Sequence, residues 1–334
     1  MKEMMDNTNI PIFLASNDNY APFVATTMAS ICYNTKSFIE FYILDGGITN
    51  FRKKQIEKLK EKFNNFSIEF IKVDFEKYFN NFKIANYWSL DMYSRFLIPL
   101  IKMNINKAIY IDVDVIVLDD IKKLYQEKLD NYALAAIPEI TNMKVLNKRK
   151  KLLNMNDSSI YFNSGVLLID CKKWRIDNIF NKILDIENCL NGRLSCPDQD
   201  LLNKFFDNNY KRLSVRYNLL NGYIHFQNNI IDILTNTIIR HFEGGIKPWM
   251  SNVNEFGDKI KYFEEFWFFA KMTPFYDGLL NNFIFYNSYQ NTNCNKKKIY
   301  KIFGILPIAQ IKIKNDKSKI YLFNFIPLLT IKNK

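Results

Sequence analysis

Residues 108–118 have the sequence AIYIDVDVIVL, in which two apolar runs flank Asp112 and Asp114. This pattern predicts two buried strands separated by acidic residues. Since side chains two positions apart along a strand point to the same face, both carboxylates are expected on one side. Burying carboxylates is unfavourable unless a cation compensates them, so the stretch predicts a site for one hard divalent ion, Mg²⁺ or Mn²⁺. The alternative is a pair of solvated aspartates on a surface turn.

Strand and helix signals alternate before this stretch. The runs PIFLAS, IEFYIL and FSIEFIKV predict strands, and residues 21–33, 50–63 and 90–101 predict helices. That alternation is typical of an α/β fold with a mostly parallel central sheet flanked by helices. Open sheets of this kind bind ligands at the carboxyl edge, where we expect Asp112 and Asp114.

The segments after this stretch are less regular. YALAAIP, YFNSGVLLID and TIIRHF predict strands, and residues 198–207 predict a helix that follows Pro197. Residues 141–158 are rich in Lys and Asn and predict a loop. We expect one large domain at residues 1–280, followed by a small basic appendage at residues 281–334.

The composition is that of a folded protein, with 334 residues of which 48% are hydrophobic and 16% aromatic. It excludes a disordered chain. No stretch approaches the roughly 18 apolar residues that a membrane-spanning helix needs, and the first ten residues lack the apolar core of a secretory signal. We therefore expect a cytoplasmic protein whose five scattered cysteines are free thiols.

Positive charge is concentrated at the end of the chain. Residues 296–334 contain ten Lys and one acidic residue, against a net charge of +12 for the whole chain. The rest of the chain has a nearly balanced charge, which argues against nucleic-acid binding, whereas the basic segment favours an anionic partner.

The basic segment contains an internal repeat. Its two similar copies, KIYKIFGILPIAQIKIKN and KIYLFNFIPLLTIKNK, predict hairpins that turn near residues 304–307 and 324–327. Their Lys, aromatic and apolar residues favour peripheral contact with an anionic membrane surface on the cytoplasmic side. A hairpin packed on the body with its lysines in water is the alternative.

The two histidines of the chain are candidates for a third metal ligand. His241 follows a predicted strand and precedes Gly244 and Gly245, whereas His225 has no polar neighbour in sequence. A neutral imidazole at a strand end is a suitable ligand, so we select His241. The glycines allow the backbone to approach phosphate groups, and Lys247 offers an ammonium to a departing phosphate.

Four blocks of sequence, in order, resemble glycosyltransferase family 8, and within it the bacterial lipopolysaccharide and lipooligosaccharide galactosyl- and glucosyltransferases. They are FLASNDNYAPFVATTMASI with FYILDGGIT, AIYIDVDVIVLDDI, YFNSGVLLIDCKKWR with PDQDLLN, and HFEGGIKPW. The resemblance implies a GT-A fold, which is a Rossmann-like single domain. It also implies a UDP-hexose donor, Mn²⁺ or Mg²⁺, a lipid-linked or oligosaccharide acceptor, and retention of the anomeric configuration.

The resemblance further implies roles for individual residues. Uracil and ribose are expected at Ala15, Ser16, Asn17, Asn19 and Tyr20. The metal ligands are expected to be Asp112, Asp114 and His241. The rest of the donor is expected to contact Asp112, Val113, Ser164, Gly165, Gly244 and Lys247. The residues that hold the sugar and act in catalysis are expected to be Arg95, Asn163, Asp198 and Gln199. The family often has Asp where this chain has Asn17, whose amide oxygen still accepts a hydrogen bond from uracil.

Alternatives exist for two of these roles. Arg95 could instead form a salt bridge on the helix surface with Asp91, four residues earlier. Gln199 is a poor nucleophile, so we favour attack from the face of the departing group, with a leaving phosphate oxygen accepting the acceptor's proton. Asp198 acts as the nucleophile in the alternative. On the acceptor side the family often has an acidic residue, for which Glu139 is the candidate.

Two other functions compete with this one. A sugar-nucleotidyltransferase normally has a glycine-rich loop after the first strand, and this chain has NDNY there. A non-catalytic, membrane-associated binding module would account for the basic tail but would leave the carboxylate pair and His241 without a purpose.

Overall fold

The structure of the protein is a computed structural model. It describes residues 9–80, 82, 90–139, 143–192, 194–226, 231–253, 260–291, 297–302, 306–314, 317–322 and 326–332. Among these residues no helix combines the length and the apolar character that crossing a membrane requires.

The strands before the basic tail are β1 (Ile10–Ser16), β2 (Ile39–Asp45), β3 (Phe66–Lys72), β4 (Lys107–Ile111), β5 (Val115–Val117), β6 (Leu134–Ala136), β7 (Val166–Asp170), β8 (Lys211–Arg212), β9 (Leu219–Leu220) and β10 (Ile239–His241). The helices are α1 (Ala21–Asn34), α2 (Asn50–Glu57), α3 (Phe75–Phe79), α4 (Ile98–Ile101), α5 (Lys122–Tyr125), α6 (Met143–Leu152), α7 (Cys171–Ile176), α8 (Ile179–Leu190), α9 (Pro197–Phe206), α10 (Asn221–Phe226), α11 (Ile231–Thr235), α12 (Phe263–Ala270) and α13 (Tyr276–Asn291). Short 3₁₀ helices cover Asp18–Tyr20, Lys58–Glu61, Leu90–Leu97 and Val215–Tyr217.

A seven-stranded sheet lies at the centre, in the order β3-β2-β1-β4-β7-β6-β8. β1 pairs in parallel with β2 and β4, β2 with β3, and β6 with β8, whereas β7 is antiparallel to β4 and β6. Strand β1, which lies inside the sheet, is buried along almost its whole length, as expected of an apolar run covered on both faces. The predicted mostly parallel sheet is confirmed.

The position of β1 between β2 and β4 brings two loops of the sequence together. β1 and β4 are neighbours with Ile12 opposite Ile109 and Phe13 opposite Tyr110. Because both strands run in the same direction, the turn after β1 and the turn after β4 emerge at the same carboxyl edge. The chain leaves β1 toward β2 on one side and returns to β4 on the other, which makes this edge a switch point where α/β sheets bind ligands.

A second, three-stranded sheet has the order β5-β10-β9. β10 runs antiparallel to β5, with His241 opposite Val115. The stretch AIYIDVDVIVL therefore forms two strands, as predicted, but the strands belong to different sheets. His241 is placed by strand pairing next to the residue that follows Asp114.

Apolar side chains from several elements form the core beneath the sheet edge. They include Phe13, Tyr110 and Leu167 from strands and Phe96 and Trp174 from helical segments, and all are almost completely buried. Removing each such side chain from water contributes about 1.5–3 kcal/mol before the entropy of ordering the chain is subtracted. This packing fixes the strand ends that carry the polar residues.

The loop predicted at residues 141–158 is wrong for most of its described length, because α6 lies within it. Leu146, Lys150 and Leu153 recur at helical spacing and all three are buried. The Lys150 ammonium donates hydrogen bonds to the carbonyl oxygens of Asp157 and Ser159, which allows a lysine to occupy a core-facing position. The apolar pattern is incomplete because its middle member is a lysine, and the helix is therefore hard to detect in the sequence.

The chain divides into two compact units, Met1–Pro248 with Asn252–Tyr276 and Trp249–Ser251 with Asp277–Lys334. In the second unit, β11 (Lys297–Ile302), β12 (Leu306–Lys314), β13 (Lys317–Leu322) and β14 (Ile326–Lys332) form an antiparallel sheet in chain order. Of the residues expected to form the two turns, 304–305 and 324–325 lie outside the described residues, and 306–307 and 326–327 belong to β12 and β14. The domain boundary between residues 280 and 281 stays a prediction.

Candidate functional site

The two aspartates lie in the turn between β4 and β5 rather than within a strand. Contrary to the prediction, Asp112 and Asp114 do not share a strand face, and the turn itself brings them together. Its backbone is held on both sides, since the Asp112 N–H donates to the Gly165 carbonyl (2.8 Å) and the Phe242 N–H donates to the Asp114 carbonyl (2.9 Å). The Thr27 hydroxyl, from α1, donates to the carbonyls of Val113 (3.2 Å) and Val115 (2.9 Å).

Asp112, Asp114 and His241 form one cluster, in which a potential ligand atom of each lies within 4.8 Å of those of the other two. Gly165 leaves the space that this cluster needs. A Cβ at that position would lie 2.3 Å from His241 Cε1 and 2.9 Å from an Asp112 carboxylate oxygen. Two carboxylates and an imidazole are ligands that Mn²⁺ and Mg²⁺ accept, so the residues present fit the ion that the sequence suggested.

Ion pairs hold the side chains of this cluster in place. Asp114 Oδ1 lies 3.2 Å from His241 Nε2, and Asp114 Oδ2 lies 2.5 Å from the Lys247 ammonium. Burial acts to raise the pKa of Asp114, but the Lys247 and His241 charges outweigh it and lower that pKa below its usual range. Burial acts to lower the pKa of His241, and the Asp114 carboxylate outweighs it, so the pKa of the imidazole is raised above 6.5.

Arg95 joins the metal cluster to the next group of side chains. It is buried, and its guanidinium donates to Asp112 (2.9 Å) and to Asp198 (2.9 Å) while it stacks over the Tyr110 ring. The two carboxylates outweigh the effect of burial and raise its pKa further. The alternative salt bridge with Asp91 is wrong, because the segment is a 3₁₀ helix in which residues three apart, not four, are aligned.

Helix α9 supplies Asp198 and Gln199 through its first turn. Pro197 begins the helix, where its missing N–H is not needed. The Ser164 backbone N–H donates to Gln199 Oε1 (2.9 Å), and the Ser164 hydroxyl donates to Asp198 (3.1 Å). Burial raises the pKa of Asp198, and Arg95 opposes that shift. Both side chains are therefore positioned by contacts from the segment before β7.

Asn163 is buried, and both atoms of its amide are held by other residues of the protein. Its Oδ1 accepts from the Gly165 N–H (2.9 Å) and from Asn218 Nδ2 (2.8 Å), while its Nδ2 donates to Glu139 (3.2 Å). Asn218 Oδ1 lies 3.0 Å from His241 Nδ1. The acceptor-side candidate Glu139 is thus connected through two amides to the metal-ligand candidate.

The segment after β1 forms the other half of the edge. Asn17 caps the 3₁₀ helix Asp18–Tyr20 by accepting from the Asn19 N–H (3.1 Å), and its Nδ2 donates to Asp91 (2.7 Å). Gly46, at the end of β2, leaves room for that carboxylate, since a Cβ there would lie 1.7 Å from Asp91 Oδ1. The Asn17 amide, which is expected to contact uracil, therefore has the Asp91 carboxylate as its direct neighbour.

The remaining predicted positions surround these groups. Ala15 and Ser16 end β1, and Tyr20 is exposed. Gly244 has φ of 98°, a conformation that favours glycine, and Lys247 also donates to the Phe242 carbonyl (2.8 Å). His225 lies in α10, whereas His241 ends β10.

Sequence analysis missed several polar residues of this site. Tyr110, whose hydroxyl donates to Asp112 (2.7 Å), stands two residues before it in the same motif, and this spacing is a detectable signal. Asp91, four residues before Arg95, is suggested by its spacing as a partner of that arginine, whereas in the structure it accepts a hydrogen bond from Asn17. Asn218 had no local signal, since its partners lie 55 and 23 residues away.

The fold and the site define an α/β protein of Rossmann-like architecture, with an acidic cluster and an imidazole at the carboxyl edge of its sheet. The profile of the family described as Glycosyl transferase family 8 matches residues 11–253. The chain belongs to glycosyltransferase family 8, and the resemblance found in its sequence is confirmed.

The chain is also similar to individual proteins. The chain is 32% identical to general stress protein A of Bacillus subtilis over 278 residues, which cover 78% of this chain and 93% of that protein. It is 27% identical to a lipopolysaccharide 1,2-glucosyltransferase of Escherichia coli over 243 residues, which cover 69% and 70% of the two chains. The crystal structure of the galactosyltransferase LgtC in complex with donor and acceptor sugar analogs is similar with a TM-score of 0.68 and 26% identity, covering 79% of this chain and 96% of that one. The expected GT-A fold is confirmed by this match.

Proposed function

We propose that the protein is a retaining hexosyltransferase that moves galactose or glucose from a UDP-sugar to a glycan acceptor of lipopolysaccharide, lipooligosaccharide or a related surface glycan. The observation that carries the proposal is the convergence, at one sheet edge, of the Asp112–Asp114–His241 cluster with the Arg95–Asp198–Gln199 group. Family membership and the similarity to proteins named as a glucosyltransferase and a galactosyltransferase support the same reaction class.

The donor would occupy the carboxyl edge. Asp112, Asp114 and His241 would hold Mn²⁺ or Mg²⁺, which would offset the charge that develops on the departing diphosphate. Lys247 would exchange its contact with Asp114 for one with the same diphosphate, adding a second positive charge. Ala15, Ser16, Asn17, Asn19 and Tyr20 would bind the nucleoside, and Val113, Ser164, Gly165 and Gly244 would approach the phosphates and sugar.

The sugar would be held by the buried polar group around Arg95. Forked donors and amides suit a hexose because it offers several hydroxyls. Asp198 is already held by Arg95 and by the Ser164 hydroxyl, which restricts it as a nucleophile. This restriction supports attack from the face of the leaving group, where a phosphate oxygen accepts the proton of the acceptor hydroxyl and Gln199 and Asn163 orient the sugar.

The acceptor and the cellular location belong to the same proposal. Glu139 lies beside Asn163 and would bind an acceptor hydroxyl. The basic tail would bring the enzyme to an anionic membrane surface on the cytoplasmic side, where a lipid-linked acceptor is available. An oligosaccharide acceptor in solution would need no such contact.

The test is an assay of the purified chain against a panel of UDP-sugars, with and without Mn²⁺. We expect Mn²⁺-stimulated hydrolysis of UDP-galactose or UDP-glucose, and a transfer product whose anomeric configuration, determined by NMR, is that of the donor. Asp114→Asn should lower kcat by about 10²- to 10³-fold, the size of a lost electrostatic stabilisation. Asp130→Asn, at an exposed aspartate that pairs with Lys211 and with no residue of the site, is the matched control and should leave activity unchanged.

The outcomes distinguish the competing functions. UDP-sugar binding without hydrolysis or transfer would identify a binding module, and nucleotide exchange on a sugar phosphate would identify a nucleotidyltransferase. A product of opposite configuration would reject retention while leaving the transferase assignment intact.

A further inference from the structure

Asn218 is completely buried and lies between the 3₁₀ helix Val215–Tyr217 and β9. β9 pairs in parallel with β10, so that Leu219 and Leu220 lie beside Arg240 and His241. The Asn218 amide therefore comes from the backbone segment that adjoins the histidine strand. Its two polar atoms face different partners, His241 Nδ1 at 3.0 Å and Asn163 Oδ1 at 2.8 Å.

The orientation of both amides follows from groups whose hydrogen-bond roles are fixed. The Gly165 backbone N–H is only a donor, so the Asn163 atom that it contacts must be the oxygen. The Glu139 carboxylate accepts, so the other Asn163 atom is the nitrogen. Asn218 must then direct its nitrogen to the Asn163 oxygen and its own oxygen to His241. The heavy-atom contacts alone therefore determine which amide atom is oxygen and which is nitrogen in both residues.

An amide oxygen accepts and does not donate, so Nδ1 of His241 must carry a hydrogen. When the imidazole is neutral, its lone pair is therefore on Nε2, the atom that lies 3.2 Å from Asp114 within the metal cluster. Metal-binding histidines are commonly oriented in this way by a partner of their other nitrogen.

We propose that Asn218 is a positioning residue that fixes the Nδ1–H tautomer of His241 and so presents Nε2 to the metal site. The hydrogen bond to Asn163 fixes the orientation of the Asn218 amide. The inference rests on the proposed metal-dependent function, which it deepens. It assigns Asn163, expected from the family to hold sugar, a structural part in the same arrangement. Neither amide needs to touch the metal.

The chain has two histidines, so ¹⁵N NMR of histidine-labelled protein gives a direct reading of the tautomer. In metal-free protein, at a pH high enough for neutral imidazole, His241 should show the Nδ1–H signature, with His225→Asn identifying its signals. Asn218→Leu should shift His241 toward the Nε2–H form. Asn218→Asp, which keeps an acceptor, should retain Nδ1–H. Asn65→Leu removes an amide that donates to the carbonyls of Cys32 and Thr35 in another part of the fold and controls for general destabilisation.

Direct Mn²⁺ titration supplies the second measurement. Asn218→Leu should weaken Mn²⁺ binding by about 10- to 100-fold, and kcat should recover toward the wild-type value at saturating Mn²⁺. The Asn65→Leu variant should bind Mn²⁺ like the wild type. An unchanged His241 tautomer in Asn218→Leu overturns the inference, whatever the activity. Failure of the wild type to bind Mn²⁺ overturns the metal function instead, and the tautomer measurement still decides the role of Asn218.

Discussion

At the residue scale, the protonation state of His241 links the pH to metal binding at the site. The imidazole is paired with the Asp114 carboxylate, and its pKa is raised above 6.5 in the absence of metal. At a pH below 6.5, the ordinary pKa of histidine, the charged His241–Asp114 pair makes its full contribution to the stability of the metal-free protein. This contribution is lost as the pH rises through the raised pKa of His241. Metal binding has the opposite dependence, because a proton on Nε2 competes with the ion.

We therefore predict that Mn²⁺ affinity falls as the pH is lowered through the pKa of His241, approaching about tenfold for each pH unit below it. Calorimetric titration across that range measures the effect, and His225→Asn should give the same profile. A dissociation constant that is equal on both sides of the pKa would exclude His241 as a ligand.

Asn17 and Asp91 give a second prediction at this scale. Asn17→Asp would place two carboxylates at the 2.7 Å contact now made by an amide and a carboxylate. We expect a loss of about 1–3 kcal/mol in the free energy of unfolding, because the charged oxygen of Asp91 loses its donor, and a higher KM for the UDP-sugar.

The double variant Asn17→Asp with Asp91→Asn again pairs one amide with one carboxylate. The hydrogen bond then runs in the opposite direction, from the side chain at position 91 to the side chain at position 17. Chemical denaturation of the four proteins of this cycle should show a favourable coupling between the two substitutions. Additive effects would mean that the two side chains do not depend on each other in solution.

At the scale of elements, the start of β7 fits against the metal cluster only because position 165 lacks a side chain. Gly165→Ala would place a methyl group 2.3 Å from His241 Cε1 and 2.8 Å from its Nδ1. Either the strand or the imidazole must move, and such overpacking typically costs about 1–3 kcal/mol. We predict lower stability and Mn²⁺ binding weakened by about tenfold or more.

Gly278→Ala is the matched control. Nothing lies within 4 Å of a Cβ built at Gly278, which is in α13, and alanine favours a helix by up to about 1 kcal/mol over glycine. Thermal unfolding and Mn²⁺ titration of both variants separate a general glycine effect from a local one. Equal Mn²⁺ affinities in Gly165→Ala and the wild type would show that the cluster adapts.

At the scale of the whole molecule, the charge of the tail predicts where the enzyme works. Each Lys near an anionic surface contributes on the order of 1 kcal/mol before salt screening. Deleting residues 296–334 should abolish sedimentation with anionic vesicles and leave hydrolysis of the UDP-sugar in solution. Full-length protein should be released from the vesicles as salt is raised.

A full-length variant in which the tail lysines are replaced by glutamine separates charge from apolar contact. It should behave like the truncated chain if the electrostatic contribution dominates. A truncated chain that still sediments with the vesicles would disprove the role of the tail.

The sequence by itself determined the alternation of strands and helices, the two buried strands on either side of Asp112 and Asp114, and the presence of a helix next to Pro197. These features depend on apolar periodicity, on acidic residues between apolar runs and on the lack of an N–H in proline, all of which act over a few neighbouring residues. The choice of His241 over His225 also came from the sequence, through its position after a strand and the resemblance to the family.

The tertiary structure decided the partners of the polar groups. Arg95 pairs with Asp112 and Asp198 rather than with Asp91, because the local helix is 3₁₀ and the buried carboxylates need its charge. Lys150 occupies a core-facing position of α6, where carbonyls from a later segment accept its hydrogen bonds. The pairing of β9 with β10 brings Asn218 beside His241, and the other polar atom of its amide meets Asn163, which is 55 residues earlier in the chain. Such contacts join residues that are far apart in the chain. Local sequence patterns do not predict these contacts, because the packing of the strands and helices determines them.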